Sequence, residues 1–441
     1  MPTSLHKIIS WFRFSILPHL YYAPILLIIG FILFSPPLEL QEWQTKLDVH
    51  ENNNRSRQLV LSLAFVLAFA GLLRRPGALT TFVQQYALVL ILVAYSALSI
   101  IWSTVPLVSS KRVIQFVGLL MAAACAMHSR VAPRQIIGML RALFTISLIL
   151  SLSYVLLWPE QSTHGDSGAW HGMHVHKNTL GMVGITTLVL WLPLLQKTRA
   201  LSVILLTFAA IALAGFITIK SDSKSAQLSM VLLVTFWLFI SLPLRWEIKI
   251  PLMPIPFLIT GFWLTNLQGL HINELLVEAL SRDSSLTGRT VLWGEIINNL
   301  GLHSFLGAGY NGFWARSNMH AVHLVTRLGW DPGQAHNGYL DVLNDLGIVG
   351  TFLFAMLIVH AIVLAIRVLR YHVLSAYVLT LLLVTQLLFN LTETSFCRGT
   401  TLGWCIFIIT YGMLIHLHAT LTKPINEVDE KPPRNYAGLV S

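Results

Sequence analysis

Gln334-Ala335-His336-Asn337-Gly338-Tyr339-Leu340-Asp341-Val342-Leu343-Asn344-Asp345-Leu346-Gly347-Ile348-Val349-Gly350 ends the one long polar interval that separates two long hydrophobic spans, and it runs directly into the second of them. Read as a helix, it sets His336, Leu340 and Leu343 on one side and Asn337, Asp341 and Asn344 on another, because 3.6 residues make a turn. An imidazole, an amide, a phenol and two carboxylates are thereby placed just above a membrane segment, where chemistry is to be sought. The spacing alone is equally compatible with His336 packed on an apolar face and its polar neighbours simply solvated.

The rest of the chain agrees with a membrane setting. Of its 441 residues 55% are apolar and only 11% charged, whereas about a quarter of a soluble domain is charged. Continuous apolar runs near twenty residues recur throughout and lack the alternation of a closed barrel. The expected fold is therefore an all-α polytopic membrane protein with twelve spans, at about 14–35, 58–73, 86–102, 111–128, 136–158, 178–195, 200–219, 226–243, 250–266, 346–366, 373–390 and 400–420. The expected division is 1–266 for spans one to nine, 267–345 for a periplasmic loop with surface helices, 346–422 for spans ten to twelve, and 423–441 for a disordered cytoplasmic tail.

Lys7 and Arg13 precede the first apolar run and no small-residue cleavage site follows, so the first span is read as retained. With the N-terminus inside, 16 basic and four acidic residues fall on the cytoplasmic side and 13 basic and 15 acidic ones outside. The net charge of +10 thus follows the positive-inside rule and needs no nucleic-acid partner, for which no basic helix with interleaved aromatics is present. The cytoplasmic connections hold no nucleotide-binding glycine loop. Cys125, Cys397 and Cys405 form no disulfide framework.

On the outer side, Leu270, Ile272, Leu275, Leu276 and Leu280 form one helical stripe. Leu292, Trp293, Ile296, Ile297 and Leu300 form another, starting just after Thr287-Gly288-Arg289 and placing Arg289 in its first turn. Leu306-Gly307-Ala308-Gly309-Tyr310-Asn311-Gly312 lacks the strand and helix of a dinucleotide fingerprint, so its glycines are read as turn residues. His164, His171, His174 and His176 cluster before Lys177 and Asn178. Without an HExxH or cysteine pattern beside them they are read as hydrogen-bonding or solvated imidazoles, and no metal and no other cofactor is expected. Lys224 opens the eighth span beside hydroxyls and helix N-terminal amides, where a phosphate would be held.

Lys224 and Arg289 are two cations suited to a diphosphate leaving group, and His336 is a base suited to a hydroxyl proton. Together they form the equipment for moving a glycan from a lipid diphosphate to a sugar hydroxyl. Asn337, Tyr339 and Asn178 are candidates for sugar or phosphate contacts. Trp293, Trp314 and Trp330 offer sugar-stacking faces or, as often at a bilayer surface, interfacial anchors. A transporter or lipid-linked glycan flippase is the alternative of another class. It would place ionisable groups near the bilayer midplane, where His360 is the clearest polar interruption and is expected to be a hydrogen-bonded core residue.

The chain resembles the O-antigen ligase and polymerase superfamily of bacterial envelope glycosyltransferases. The likeness lies in His336-Asn337-Gly338-Tyr339-Leu340 followed by Leu346-Gly347-Ile348-Val349-Gly350, in Thr287-Gly288-Arg289 with Trp293, and in Leu306-Gly307-Ala308-Gly309. It extends to Ser221–Ser225 and to Trp102-Ser103, Pro106, Ser109 and Arg112. His176-Lys177-Asn178 with Leu180-Gly181 looks most like the exopolysaccharide polymerases of the succinoglycan type. The resemblance implies a metal-independent, inverting transfer from an undecaprenyl-diphosphate-linked glycan at the periplasmic face of the bacterial inner membrane, with both termini cytoplasmic. By this likeness Lys224 and Arg289 bind the donor diphosphate, His336 activates the acceptor hydroxyl, and His176, Lys177, Asn178, Asn337 and Tyr339 are secondary contacts. The acceptor is growing exopolysaccharide or O-antigen, or lipid A core if the chain is a ligase; chain-length regulator and export proteins are further partners. Lysine at 224, where ligases commonly have arginine, keeps the charge without the bidentate fork. His303-Ser304 stands where relatives often have proline.

Overall fold

The computed structural model describes residues 21–35, 55–74, 77–127, 133–165, 167–196, 200–255, 285–299 and 304–422. Over these the chain is helical: α1 (Ala23–Phe34), α2 (Arg55–Leu73), α3 (Ala87–Leu98), α4 (Pro106–Met127), α5 (Pro133–Leu157), α6 (Lys177–Trp191), α7 (Leu201–Lys220), α8 (Lys224–Ser241), α9 (Ser285–Asn298), α10 (Met319–Leu328), α11 (Gly338–Leu369), α12 (Leu374–Phe389) and α13 (Leu402–Leu421). Among the described residues eight helices are long and apolar enough to cross a membrane, with three shorter apolar ones beside them. The protein is an all-α polytopic membrane protein. The expected ninth span at 250–266, the stripe at 270–280 and the tail at 423–441 lie wholly or mostly outside the described residues.

The helices start where the sequence satisfies their first N–H groups. Pro133 opens α5 and Pro24 lies in the first turn of α1, where a missing donor costs nothing. Ser223 caps α8 by accepting from Ala226 N, and Asn318 caps α10, which ends at Gly329 in the left-handed conformation. The bundle is centred on α6 and α13, whose apolar windows are 78% and 83% buried, whereas α2, at 22%, presents most of its surface outward. Around them, α6 packs on α5, α7, α8 and α12, and α13 on α4, α11 and α12. His360 pairs with the Tyr411 hydroxyl at 2.9 Å, which satisfies both polar groups between α11 and α13.

One end of the bundle carries a second, smaller core. Leu292 and Ile296 of α9, Ala321 and Leu324 of α10, and Phe313, Trp314 and Ala335 between them form it. Burying each large aliphatic residue there contributes about 1.5–3 kcal/mol, enough to fix α9 on the bundle. Its axis begins at Ser285, so Arg289 stands in the second turn rather than the expected first.

This cap joins the bundle at a break in α11. Gly347 has φ 65° and ψ −168° inside the helix, and the backbone of Gly307 presses against it. A Cβ on Gly347 would lie 2.5 Å from Gly307 N, and Gly307 itself needs φ 79°. Replacing Gly347 with alanine therefore adds both a clash and left-handed strain. We expect a loss of about 3 kcal/mol, measured as thermal unfolding in detergent; an unchanged Tm would contradict this packing.

Candidate active site

The polar stretch above α11 is not one helix. His336 has φ 48°, a conformation outside the helical range, and Asn337 caps a helix that begins only at Gly338. The Asn337 side chain accepts from Tyr339 N at 3.0 Å and Leu340 N at 3.2 Å, a strong N-cap that starts the helix four residues later than the hydrophobic period suggests. His336 thereby leaves the apolar face and turns toward the loop between α12 and α13.

That loop supplies the residue on which the site converges. Asn390 is fully buried and its Oδ1 accepts from Ser395 N at 2.8 Å and Phe396 N at 3.0 Å, curling residues 390–396 into a closed turn. Gly338 N donates to Glu393 O at 3.1 Å and Asn337 N to Thr394 Oγ1 at 3.1 Å, which joins the turn to the start of α11. Glu393 then points inward, 7% exposed. Its Oε1 accepts from Arg289 Nη2 at 2.8 Å and from Asn178 Nδ2, and its Oε2 lies 3.8 Å from His336 Nδ1.

A buried carboxylate is tolerable only with partners of this kind, since its isolated desolvation cost is several kcal/mol. Arg289 is aimed at it by α9, which Trp293 fixes by donating to Ala335 O at 2.8 Å, next to His336. Gln334 Nε2 is 3.2 Å from His336 Nδ1, and Arg398 Nη1 donates to Gln334 Oε1 at 3.3 Å. Both neighbours approach Nδ1.

The structure thus brings three of the expected residues, Arg289, His336 and Asn178, to one carboxylate. Lys224 stands at the same end of the bundle, since Ala226 and Ser223 pack on Gly181, one turn along α6 from Asn178. Its ammonium, however, is paired with Asp222 at 2.9 Å, both side chains about 40% exposed, and among the described contacts none ties it to Glu393. Tyr339 directs its hydroxyl into the bundle, to Leu387 O at 2.9 Å, and Trp314 donates to Asp341 at 2.6 Å. Of the three tryptophans, Trp330 has the exposed face, at 44%.

His176 caps α6 by accepting from Asn178 N at 3.2 Å, so it positions Asn178, and it feels the charges of Glu393, His336, His164 and Lys177. Burial holds its pKa below the usual histidine range despite the pull of Glu393. His171 and His164 are lowered for the same first reason. His174, packed under Ser147, is pushed down to about 4 by burial and by His171. Among the described residues no three His, Cys, Asp or Glu side chains converge as metal ligands do.

A pH effect follows from His174. Above 6.5 both folded and unfolded chains hold it neutral; below that the unfolded chain takes the proton and the folded one resists until about 4. The loop is therefore destabilised as pH falls through that window, by about 3 kcal/mol. Hydrogen-exchange protection over 167–176, corrected for the intrinsic slowing of exchange at low pH, should be weaker at pH 5 than at pH 7 and lose most of that dependence in His174→Gln; identical pH dependence in the two proteins would exclude this cause.

Glu393, Gln334 and Arg398 carry roles that spacing did not assign. A signal existed for two of them: between Tyr371 and Thr422, Glu393 and Arg398 are the only formally charged side chains.

Residues 209–355, which hold Lys224, Arg289 and His336, match the O-antigen ligase family. A stretch of 91 residues is 31% identical to the exopolysaccharide production protein ExoQ of Rhizobium meliloti (strain 1021), covering 20% of this chain and 21% of that protein. The match therefore spans about a fifth of the relative's length. In its segment 209–355 the chain is therefore similar to the O-antigen ligase family.

Proposed function

We propose that this protein is a membrane glycosyltransferase that moves a glycan from undecaprenyl diphosphate to a sugar hydroxyl at the periplasmic face of the inner membrane, extending an exopolysaccharide or O-antigen chain. The observation that carries the reading is the meeting of a guanidinium and an imidazole on one buried carboxylate at one end of a membrane bundle. The match of 209–355 to the ligase family and the similarity to a protein named for exopolysaccharide production support it.

In this reading the acceptor hydroxyl attacks the anomeric carbon of the donor. A new glycosidic C–O bond forms while the bond to the diphosphate breaks, with inversion, and the diphosphate departs with the electron pair. His336 takes the hydroxyl proton, and Glu393 Oε2, 3.8 Å away, stabilises the resulting imidazolium. Arg289 receives the charge that develops on the leaving diphosphate, and Lys224 would reach it by giving up Asp222. Glu393 keeps Arg289 in place before the donor arrives. No metal is required in this scheme, since both charges to be stabilised have a side chain assigned to them.

The test is purified protein in detergent with a lipid-diphosphate-linked glycan, with and without lipid A core. Lengthened chains from the donor alone are the expected result. Product only when lipid A core is added would make the protein a ligase, and a substrate that is never altered would leave transport as its role.

A further inference from the structure

The face of the bundle opposite Glu393 holds a small cavity that glycan transfer does not use. Asn178 lies in the first turn of α6 and Glu393 just beyond the end of α12, whereas the cavity lies at the other ends of these two helices. Since α12 has 16 residues, the two places are about 24 Å apart along its axis. Arg134 and Arg141 of α5 and Ser375 in the first turn of α12 line the cavity, with Ile137, Leu194 and Val378 as apolar walls. Its volume of about 70 Å³ is several times what one water needs and suits a single phosphate group.

Arg141 is fixed in this cavity by its neighbours. Its Nε donates to Leu190 O at 2.6 Å, one of the last carbonyls of α6, and its guanidinium lies over the Trp191 ring at 5.9 Å. Trp191 is held in turn by donating to Thr145 Oγ1 at 2.9 Å. These contacts use one of five N–H donors, and among the described residues neither terminal nitrogen has a partner. The charge that bears on Arg141 is that of Arg134, of the same sign and exposed at the mouth, and among the described residues no carboxylate pairs with Arg141. Ser375 is 9% exposed, and its hydroxyl has no hydrogen-bond partner among the described residues. Its helix, α12, begins at Leu374 without a side-chain cap, so the positive end of the helix dipole lies beside the same cavity. A guanidinium fork, a free hydroxyl and an uncapped helix start together match the oxygens of a phosphate, and the apolar walls strengthen the attraction by excluding water.

We propose that Arg141 and Ser375 hold the phosphate of an anionic membrane lipid in the leaflet away from Glu393, and that the bound lipid ties α5, α6 and α12 together at that face. The cavity sits at helix ends, where a bilayer presents its headgroups, and its apolar walls suit the start of a lipid tail. Free phosphate presents the same oxygens and is the other source of such a ligand. The site is separate from the transfer chemistry and stands whether or not that reading does.

Thermal unfolding of the delipidated full-length protein in detergent is followed against short-chain phosphatidylglycerol, short-chain phosphatidylcholine and potassium phosphate, with potassium chloride matching ionic strength. Phosphatidylglycerol is expected to raise Tm by about 1–3 degrees at concentrations about tenfold above its Kd. Phosphatidylcholine should need at least about tenfold more, because its choline cation would meet the two arginines. Arg141→Gln should need at least about tenfold more phosphatidylglycerol for the same shift, the worth of a charge-assisted fork. Ser375→Ala leaves every bond of Arg141 in place and should need severalfold more, which keeps the test open if the arginine variant fails to fold. Arg289→Gln, at the other face, should respond as wild type does. A response to potassium phosphate as strong as that to phosphatidylglycerol would keep the phosphate site and overturn its lipid occupant. Equal responses to the two lipids, the same shift with potassium chloride alone, or loss of the response in Arg289→Gln would each overturn the proposal. So would an unchanged response in Arg141→Gln, or in Ser375→Ala should the first variant not fold.

Discussion

Replacing His336 with asparagine is expected to lower glycan transfer by about 10²–10⁴-fold, the usual worth of a general base, with the amount and Tm of the protein nearly unchanged. Asparagine is the better probe than alanine because residue 336 holds φ 48°, a conformation that asparagine tolerates and alanine resists. The side chain is 25% exposed and its contacts are a long approach to Glu393 and one bond to Gln334, so little packing is lost. Rates at several pH values, with donor at saturation, separate the chemical step from binding. Wild-type turnover in His336→Asn would take the imidazole out of the reaction.

Breaking the pair beneath it should act on both stability and rate. Glu393→Ala leaves the Arg289 guanidinium, 15% exposed, without its carboxylate, which costs about 3 kcal/mol when one member of such a pair is removed. Arg289→Ala strands the carboxylate in turn, and it also removes the group assigned to the leaving diphosphate, for a further loss in rate of about 10²–10³-fold. The double variant Arg289→Met/Glu393→Met distinguishes these effects. It should regain most of the lost Tm, because no unpaired charge remains, and should stay inactive. Recovered transfer in the double variant would mean that the pair only braces the fold.

Much of this architecture can be read from residue types. The apolar runs mark α2, α4 to α8, α11 and α13 because a bilayer demands lengths near twenty residues and tolerates few charges inside them. Arg289 and His336 stand out in the sequence as a cation and an imidazole beside the spans, and the structure brings both to Glu393. Local geometry is harder. Asn337-Gly338 is a strong helix start, yet the period of Leu340 and Leu343 extends backward through His336 and conceals the left-handed residue there. Glu393 is the larger lesson. Its meeting with Arg289 across 104 residues and with Asn178 across 215 depends on how α6, α9 and α12 are stacked, and no spacing along the chain encodes that. Lys224 is the converse case: the residue type fits a phosphate, but the adjacent Asp222 takes its charge in this structure.

The distances along the chain that separate these partners also govern when the machinery exists during synthesis. Asn178 reaches the bilayer early, Arg289 and His336 follow, and Glu393 emerges only with the connection between α12 and α13. A nascent chain halted anywhere before that connection holds its imidazole and guanidinium with nothing to gather them. Under the proposed function, a copy halted before residue 393 would therefore leave its lipid-linked donor untouched.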